Sequence, residues 1–273
     1  MFNLQLISTQ FLPPAFRPVA LTVILAISSG CASAPTARGM GPLVSPSQAA
    51  LIGPVQTVVI DAGHGGNDPG TSHYGLKEKH LALDIVRRLR TRLEETGLSV
   101  VLTRDSDQFV ELSRRPAVAN RLGADLFVSV HINANRNRQV SGAEVYYPRV
   151  SIVSADAAWP PSVTGEEIGV PSTGVKQLLW DMVLRRTRAQ SRKLATSICR
   201  SVRDEGVPCR AIKPARFVVL REAWMPAVLV EVGYVTNRAE ADRLADSSYR
   251  QAAADAIADG IVAYIRELGA QHI

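Results

Sequence analysis

Val58-Val59-Ile60-Asp61-Ala62-Gly63-His64-Gly65-Gly66-Asn67-Asp68-Pro69-Gly70 changes character halfway along. The β-branched run at its start predicts a buried strand, and Asp61-Ala62-Gly63 stops that strand and opens a loop. Glycines on both sides of His64 let the backbone bend tightly and come close to a bulky group. The chain beyond keeps up an alternation of strands and helices. Lys77 to Thr96 places Leu81, Ile85, Leu89 and Leu93 on one helical stripe and closes at Gly97. Leu98 to Leu102 reads as a strand, Glu111 to Leu122 as a helix ended by Gly123, and Asp125 to Val130 and Ala143 to Tyr147 as two more strands. A helical pattern begins near Val175 and runs to Glu205, where Gly206 ends it. Phe217 to Leu220 and Val228 to Val232 read as strands, and Ser247 to Leu268 as a closing helix. This order predicts a single α/β domain over residues 55–270. Its core would be a mostly parallel or mixed twisted sheet of about six strands with helices on both faces. In such sheets ligands bind where strand ends meet loops.

The informative polar residues fall at those places. His64 follows the first strand and His131 ends the third, so the two imidazoles lie within reach of one metal if their strands are neighbours, about 5 Å apart. Glu78 opens the first helix just after the glycine loop and offers a third ligand. Two imidazoles and one carboxylate leave a fourth position open, the pattern of a catalytic zinc. Glu231 ends the last strand, in Leu229-Val230-Glu231-Val232-Gly233-Tyr234. A carboxylate in so apolar a strand is costly to bury unless it is paired or used, and a proton-transfer role would use it. Each residue alone has a plainer reading: a structural histidine, a helix-start charge, a buried ion pair. Their joint placement at strand ends and a helix start favours a site. His73, His80 and His272 stand outside this pattern and read as surface residues.

Composition narrows the partners. The formal charge of +6 favours anionic ones, but no Lys/Arg-rich run is interleaved with aromatics, which are only 5% of residues, so nucleic acid is not an expected partner. Residues 1–34 read as an export segment: Arg17, a short apolar core from Val19 to Ile27, then small residues through Ala34. Gly30-Cys31 resembles a lipoprotein cleavage site, with Cys31 as the lipidated residue and the only link to a membrane. Cleavage after Ala34, disfavoured by Pro35, and a retained anchor are the rival readings. Residues 35–54, rich in Pro, Gly, Ser and Ala, read as a linker. The expected location is the periplasm or cell envelope, with anchoring at the outer membrane if Cys31 is lipidated. Cys199 and Cys209 then form an even pair in an oxidising compartment, either bridged or left as two separate thiols.

Several stretches, in order, give the chain a family resemblance. They are Val59 to Gly70, Gly75-Leu76-Lys77-Glu78-Lys79, Thr103-Arg104-Asp105, Ser113 to Asn120, Ser129-Val130-His131-Ile132-Asn133-Ala134, and Met225 to Asn237. From Val58 to Ile265 the sequence resembles the zinc-dependent N-acetylmuramoyl-L-alanine amidases. The resemblance implies one zinc ion held by His64, Glu78 and His131, with Glu231 as the catalytic acid and base. It also implies peptidoglycan as substrate, cut at the amide between N-acetylmuramic acid and L-alanine. Asn133 and Arg221, from their neighbourhood, are expected to orient substrate or stabilise a developing oxyanion. Some members carry an extra segment that covers the site until a protein activator moves it. This chain has extra sequence at that place, about 149–186, where Glu166 or Glu167 would fill the open zinc position; the plainer reading is a surface loop. Three rivals remain: an amidase of the same fold cutting another amide, a wall-binding protein with a degenerate site, and a tether with a closed structural metal.

Overall fold

The computed structural model describes residues 55–149 and 173–270. In chain order it holds β1 (Thr57–Ala62), β2 (Ser72–His73), β3 (Leu76–Lys77), α1 (Glu78–Glu94), β4 (Ser99–Leu102), α2 (Arg114–Leu122) and β5 (Leu126–Asn133). There follow β6 (Ala143–Pro148), α3 (Thr173–Asp204), β7 (Cys209–Ala215), α4 (Val218–Arg221), β8 (Ala227–Tyr234), α5 (Arg238–Ala245) and α6 (Ser247–Ala270). Six strands form one sheet in the order β4-β1-β5-β8-β6-β7, and β2 pairs with β3 in a small hairpin. The first four strands of that order are parallel. β6 runs antiparallel to β8, and β7 runs parallel to β6. A mostly parallel sheet inside an α/β domain is what the alternating pattern predicted.

Val58, Val59 and Ile60 are fully buried because β1 sits inside the sheet with both faces covered, which is why the run is continuously apolar. On one face α1, α3 and α6 bury Ile85, Leu89, Ile198 and Ile257 against Val58, Ile60 and Val128. A Cβ at Gly260 would lie 2.5 Å from the Ile198 Cα, so this glycine is what lets α6 cross α3 so closely. On the other face α2 and α4 cover a smaller core of Val59, Phe127 and Leu229. His64, His131 and Glu231 lie at or near the carboxyl ends of β1, β5 and β8.

One strand was misplaced by the sequence reading. Phe217 to Leu220 is not a strand: Val218–Arg221 is the short helix α4, with Phe217 at its N-cap. A single helical turn already buries Val219 and Leu220 in the second core, which overrides their β preference. The sixth strand is instead β7, whose pattern is masked by Arg210, Lys213 and Pro214 at the sheet edge, where a missing N–H is tolerated. The helix expected from Glu111 begins at Arg114, and α5 and the β2–β3 hairpin had no counterpart. Of the extra segment at 149–186, residues 173–186 are the first turns of α3. Glu166, Glu167, Cys31 and His272 lie outside the described residues. No helix among the described residues is long and apolar enough to cross a membrane.

Cys199 and Cys209 are bridged, with their Cα atoms 5.5 Å apart, which ties the end of α3 to the start of β7. Closing a loop of this length removes about 2–3 kcal/mol of unfolded-state entropy. Replacing both cysteines with serine is therefore expected to lower the melting temperature by roughly 5–10 °C, read by circular dichroism in oxidising buffer. An unchanged melting temperature would contradict that role.

Candidate metal centre

The site begins with Asp61, a fully buried acid near the end of β1. Its carboxylate accepts hydrogen bonds from Thr103 Oγ1 at 2.6 Å, Ser129 Oγ at 2.7 Å and Arg115 Nη1 at 2.9 Å. Arg115, 2% exposed, reaches on from this anchor and donates to the carbonyls of Ala62 and His64 at 2.7 and 2.9 Å. Arg104, 1% exposed, donates to the carbonyls of Ala62, Gly63 and Lys79 at 2.9, 2.7 and 2.9 Å. Two buried guanidiniums thus satisfy the carbonyls of the glycine loop and fix its path. Sequence reasoning placed both arginines in matching stretches without giving them work; their signal was the recurrence of Arg beside apolar elements. Asp61→Asn would leave the Arg115 charge uncompensated in the interior. It is expected to cost about 3 kcal/mol of stability, measurable by urea unfolding, whereas a cost below about 1 kcal/mol would contradict this account.

The loop so held carries His64 at a φ of 58°, the left-handed region, which for a residue with a side chain is strained and frequent at functional positions. A Cβ on Gly63 would come within 2.4 Å of the His131 ring, and one on Gly70 within 2.5 Å of Glu78 Oε2. Both glycines are there because the backbone passes against the putting-together of these side chains, leaving no room for a Cβ.

Glu78 is the hub. It opens α1, where the helix dipole favours an acid, and it is 4% exposed. Its Oε2 accepts from the Thr71 amide at 2.8 Å and its Oε1 from the Ile132 amide at 3.1 Å. Oε1 also lies 2.8 Å from His131 Nδ1, and Oε2 lies 3.2 Å from His64 Nε2. The imidazole rings meet edge to face, 5.1 Å between centroids. Behind His64, Asp68 Oδ2 holds Nδ1 at 2.7 Å, which turns Nε2 toward Glu78, the arrangement that orients a metal-ligating imidazole.

One ligand atom from each of His64, Glu78 and His131 lies within 4.8 Å of the others, so the three could hold a metal ion. Their charges agree with that. Burial works against a charged His64 ring, yet Glu78 and Asp68 outweigh it and raise its pKa to about 9. Burial likewise opposes the Glu78 carboxylate, but His131 and His64 hold it well below the usual carboxylate range. A buried anion gripped by two imidazoles draws positive charge to this point, which a cation would supply.

Glu231 stands beside this group, paired in register with His131 across β5 and β8. Its Oε2 is buried and has no hydrogen-bond partner. Burial pushes its pKa up to about 7, with the Glu78 and Glu144 charges adding to the shift and the two histidines opposing it. An acid that titrates near neutrality beside a metal centre can take and return a proton.

The remaining candidates are less directly placed. Asn133 ends β5, and its Oδ1 accepts the Ala134 amide at 2.8 Å. Arg221 ends α4, is 55% exposed and pairs with Glu222 at 3.2 Å. Among the described residues no hydrogen bond or ion pair joins Arg221 to the three-ligand group. His80 is 57% exposed, as expected for a surface position, whereas His73 is half-buried and stacks on Tyr74 at 4.5 Å. Sequence reasoning missed Glu144 on β6, a buried acid paired in register with Glu231.

Fold and site together define a class: α/β proteins with two histidines and one carboxylate that could hold a metal, gathered at the carboxyl end of a mostly parallel sheet. Within that class, residues 58–263 match the Amidase_3 family model, described as N-acetylmuramoyl-L-alanine amidase, and the chain belongs to this family. An N-acetylmuramoyl-L-alanine amidase of Neisseria meningitidis serogroup B is 36% identical over 217 residues, which cover 76% of this chain and 52% of the relative. The chain therefore spans about half the length of that protein. One of Escherichia coli K12 is 34% identical over 221 residues, covering 77% of this chain and 76% of the relative. The solved structure of one from Nostoc punctiforme overlays with a TM-score of 0.59 at 36% identity. It covers 77% of this chain and 96% of that one.

Proposed function

We propose that the chain is a zinc-dependent hydrolase that cuts the amide between N-acetylmuramic acid and L-alanine in peptidoglycan. The observation that carries this is the meeting of His64, Glu78 and His131 within 4.8 Å, beside Glu231 with its partnerless Oε2, in a chain of this family. Zinc suits two imidazoles and a carboxylate with a position left open. When bound, it would supply Lewis-acid polarisation of the amide carbonyl and activation of a water. His64, Glu78 and His131 would hold it, with Asp68 fixing the His64 ring. Glu231 would take the attacking water's proton at Oε2 and deliver it to the departing nitrogen of L-alanine. Asn133 and Arg221 would orient the substrate or stabilise a developing oxyanion.

The test is product analysis of purified sacculi digested by the zinc-loaded protein. Free stem peptides with new L-alanine amines are expected, with the glycan strands left intact. Cleavage within the glycan, or at a peptide bond further along the stem, would overturn the reading.

The same reading takes residues 1–34 as an export segment, 35–54 as a linker and 55–270 as the catalytic domain, placed in the periplasm or cell envelope. The Cys199–Cys209 bridge favours an oxidising compartment. Cys31 would carry a lipid to the outer membrane, and a mature N-terminus whose mass lacks one would refute that. Glu166 and Glu167 would serve as the inhibitory plug, released by a protein activator. Deleting residues 150–172 tests it: unchanged activity on intact wall would sink the plug.

A further inference from the structure

The sheet face beyond Glu231 carries a polar cluster that the metal centre does not use. Glu144 lies opposite Glu231 in antiparallel register, so their side chains share a face. It is only 2% exposed. Its Oε1 accepts from Lys213 Nζ at 2.9 Å and lies 3.5 Å from Arg210 Nε, and its Oε2 accepts from the Tyr146 hydroxyl at 2.5 Å. Lys213 and Arg210, both on the edge strand β7, are 48% and 50% exposed. One buried carboxylate beside two half-exposed cations leaves the cluster with net positive charge. Tyr146 and Phe217, edge to face with ring centroids 5.2 Å apart, wall the same strip.

Surface cations need no buried acid to be soluble, and burying a carboxylate is costly unless it is paired. Here the acid seats two long side chains that would otherwise lose rotamer freedom on meeting a ligand, which preorganises them. The seat is also at a useful distance. β7 lies two strands beyond β8, about 10 Å away. An extended peptide advances roughly 3.4 Å per residue. A stem whose first nitrogen sits at Glu231 and which runs across β6 therefore brings its third residue to β7.

We propose that Lys213 and Arg210, seated on Glu144, form the subsite that takes a stem-peptide carboxylate and so select anionic stems for cleavage. This rests on the amidase reading above. The probes are two N-acetylmuramoyl tripeptides that differ only in whether the carboxylates of the stem are free or amidated, given to the zinc-loaded full chain. The wild type is expected to show a KM at least tenfold lower for the free acid at similar kcat. Lys213→Met and Arg210→Gln should each shrink that advantage, the double variant should remove it, and Lys213→Arg should keep most of it. A general folding defect would raise KM or lower kcat on both probes alike. Equal KM for the two probes in the wild type, or a preference surviving in the double variant, would overturn the subsite and leave the amidase reading standing. Turnover of neither probe, by the wild type and by the chain lacking residues 150–172 alike, would overturn the amidase reading, and the subsite with it.

Discussion

Glu231→Gln is expected to lower kcat by about a thousandfold while leaving metal content and binding to peptidoglycan in place. The change keeps the shape of the side chain and removes its ability to hold a proton and give it back. Glu231 is suited to that task because nothing else occupies its Oε2. Its proton affinity is set by burial first, then by the Glu78 and Glu144 charges, and reaches about 7 without a metal. The base must be ionised to accept a proton, so kcat/KM should fall as pH drops through its pKa. A divalent cation held beside it adds positive charge and favours the ionised form, which places the acid limb of the wild type below pH 7. In the glutamine variant the residual rate should lose that limb. The measurement is a pH–rate profile on muropeptide for both proteins, with metal content read by elemental analysis. A glutamine variant within tenfold of the wild type, with the same limb, would remove Glu231 from the chemistry.

The centre was legible in the sequence because its parts sit where periodicity is broken. His64 interrupts a glycine loop after an apolar strand, and Glu231 interrupts an apolar strand itself. The order of the sheet was less accessible. Nothing local tells that β8, late in the chain, inserts between β5 and β6 and so brings Glu231 beside His131. That neighbourhood comes from long-range pairing, as does the opposition of Glu144 and Glu231. β7 was lost because an edge strand with Arg, Lys and Pro lacks the apolar signal that marks an inner one. α4 was misread because Phe217-Val218-Val219-Leu220 satisfies strand propensity, while tertiary packing decides its conformation. Arg104 and Arg115 were visible as residues but not as supports, since their partners are backbone carbonyls of the glycine loop, which a sequence pattern does not display.

Glu78→Gln should weaken zinc binding by about a hundredfold to a thousandfold and abolish activity at limiting metal. Structural zinc binding of about 10–16 kcal/mol shared over four ligands gives roughly 3 kcal/mol for each, which is about that factor. The carboxamide can still accept from the Ile132 amide, but the Thr71 amide and the protonated His64 ring lose their anionic partner, so the melting temperature of the metal-free protein should also fall at neutral pH. The variant should also change how affinity depends on pH. In the wild type the raised His64 pKa, about 9, means that the metal-free ring carries a proton at neutral pH. Metal must displace that proton, so affinity should rise about tenfold per pH unit from 7 toward 9. Burial lowers the pKa of this ring and Glu78 is the largest of the groups that raise it, so neutralising Glu78 brings the pKa down. Between pH 7 and 9 the variant's affinity should therefore be weaker but flatter. Competition against a zinc-binding dye across that range measures both quantities. Wild-type affinity with the wild-type slope would show that Glu78 is not a ligand, and would leave the two histidines without the acid that joins them.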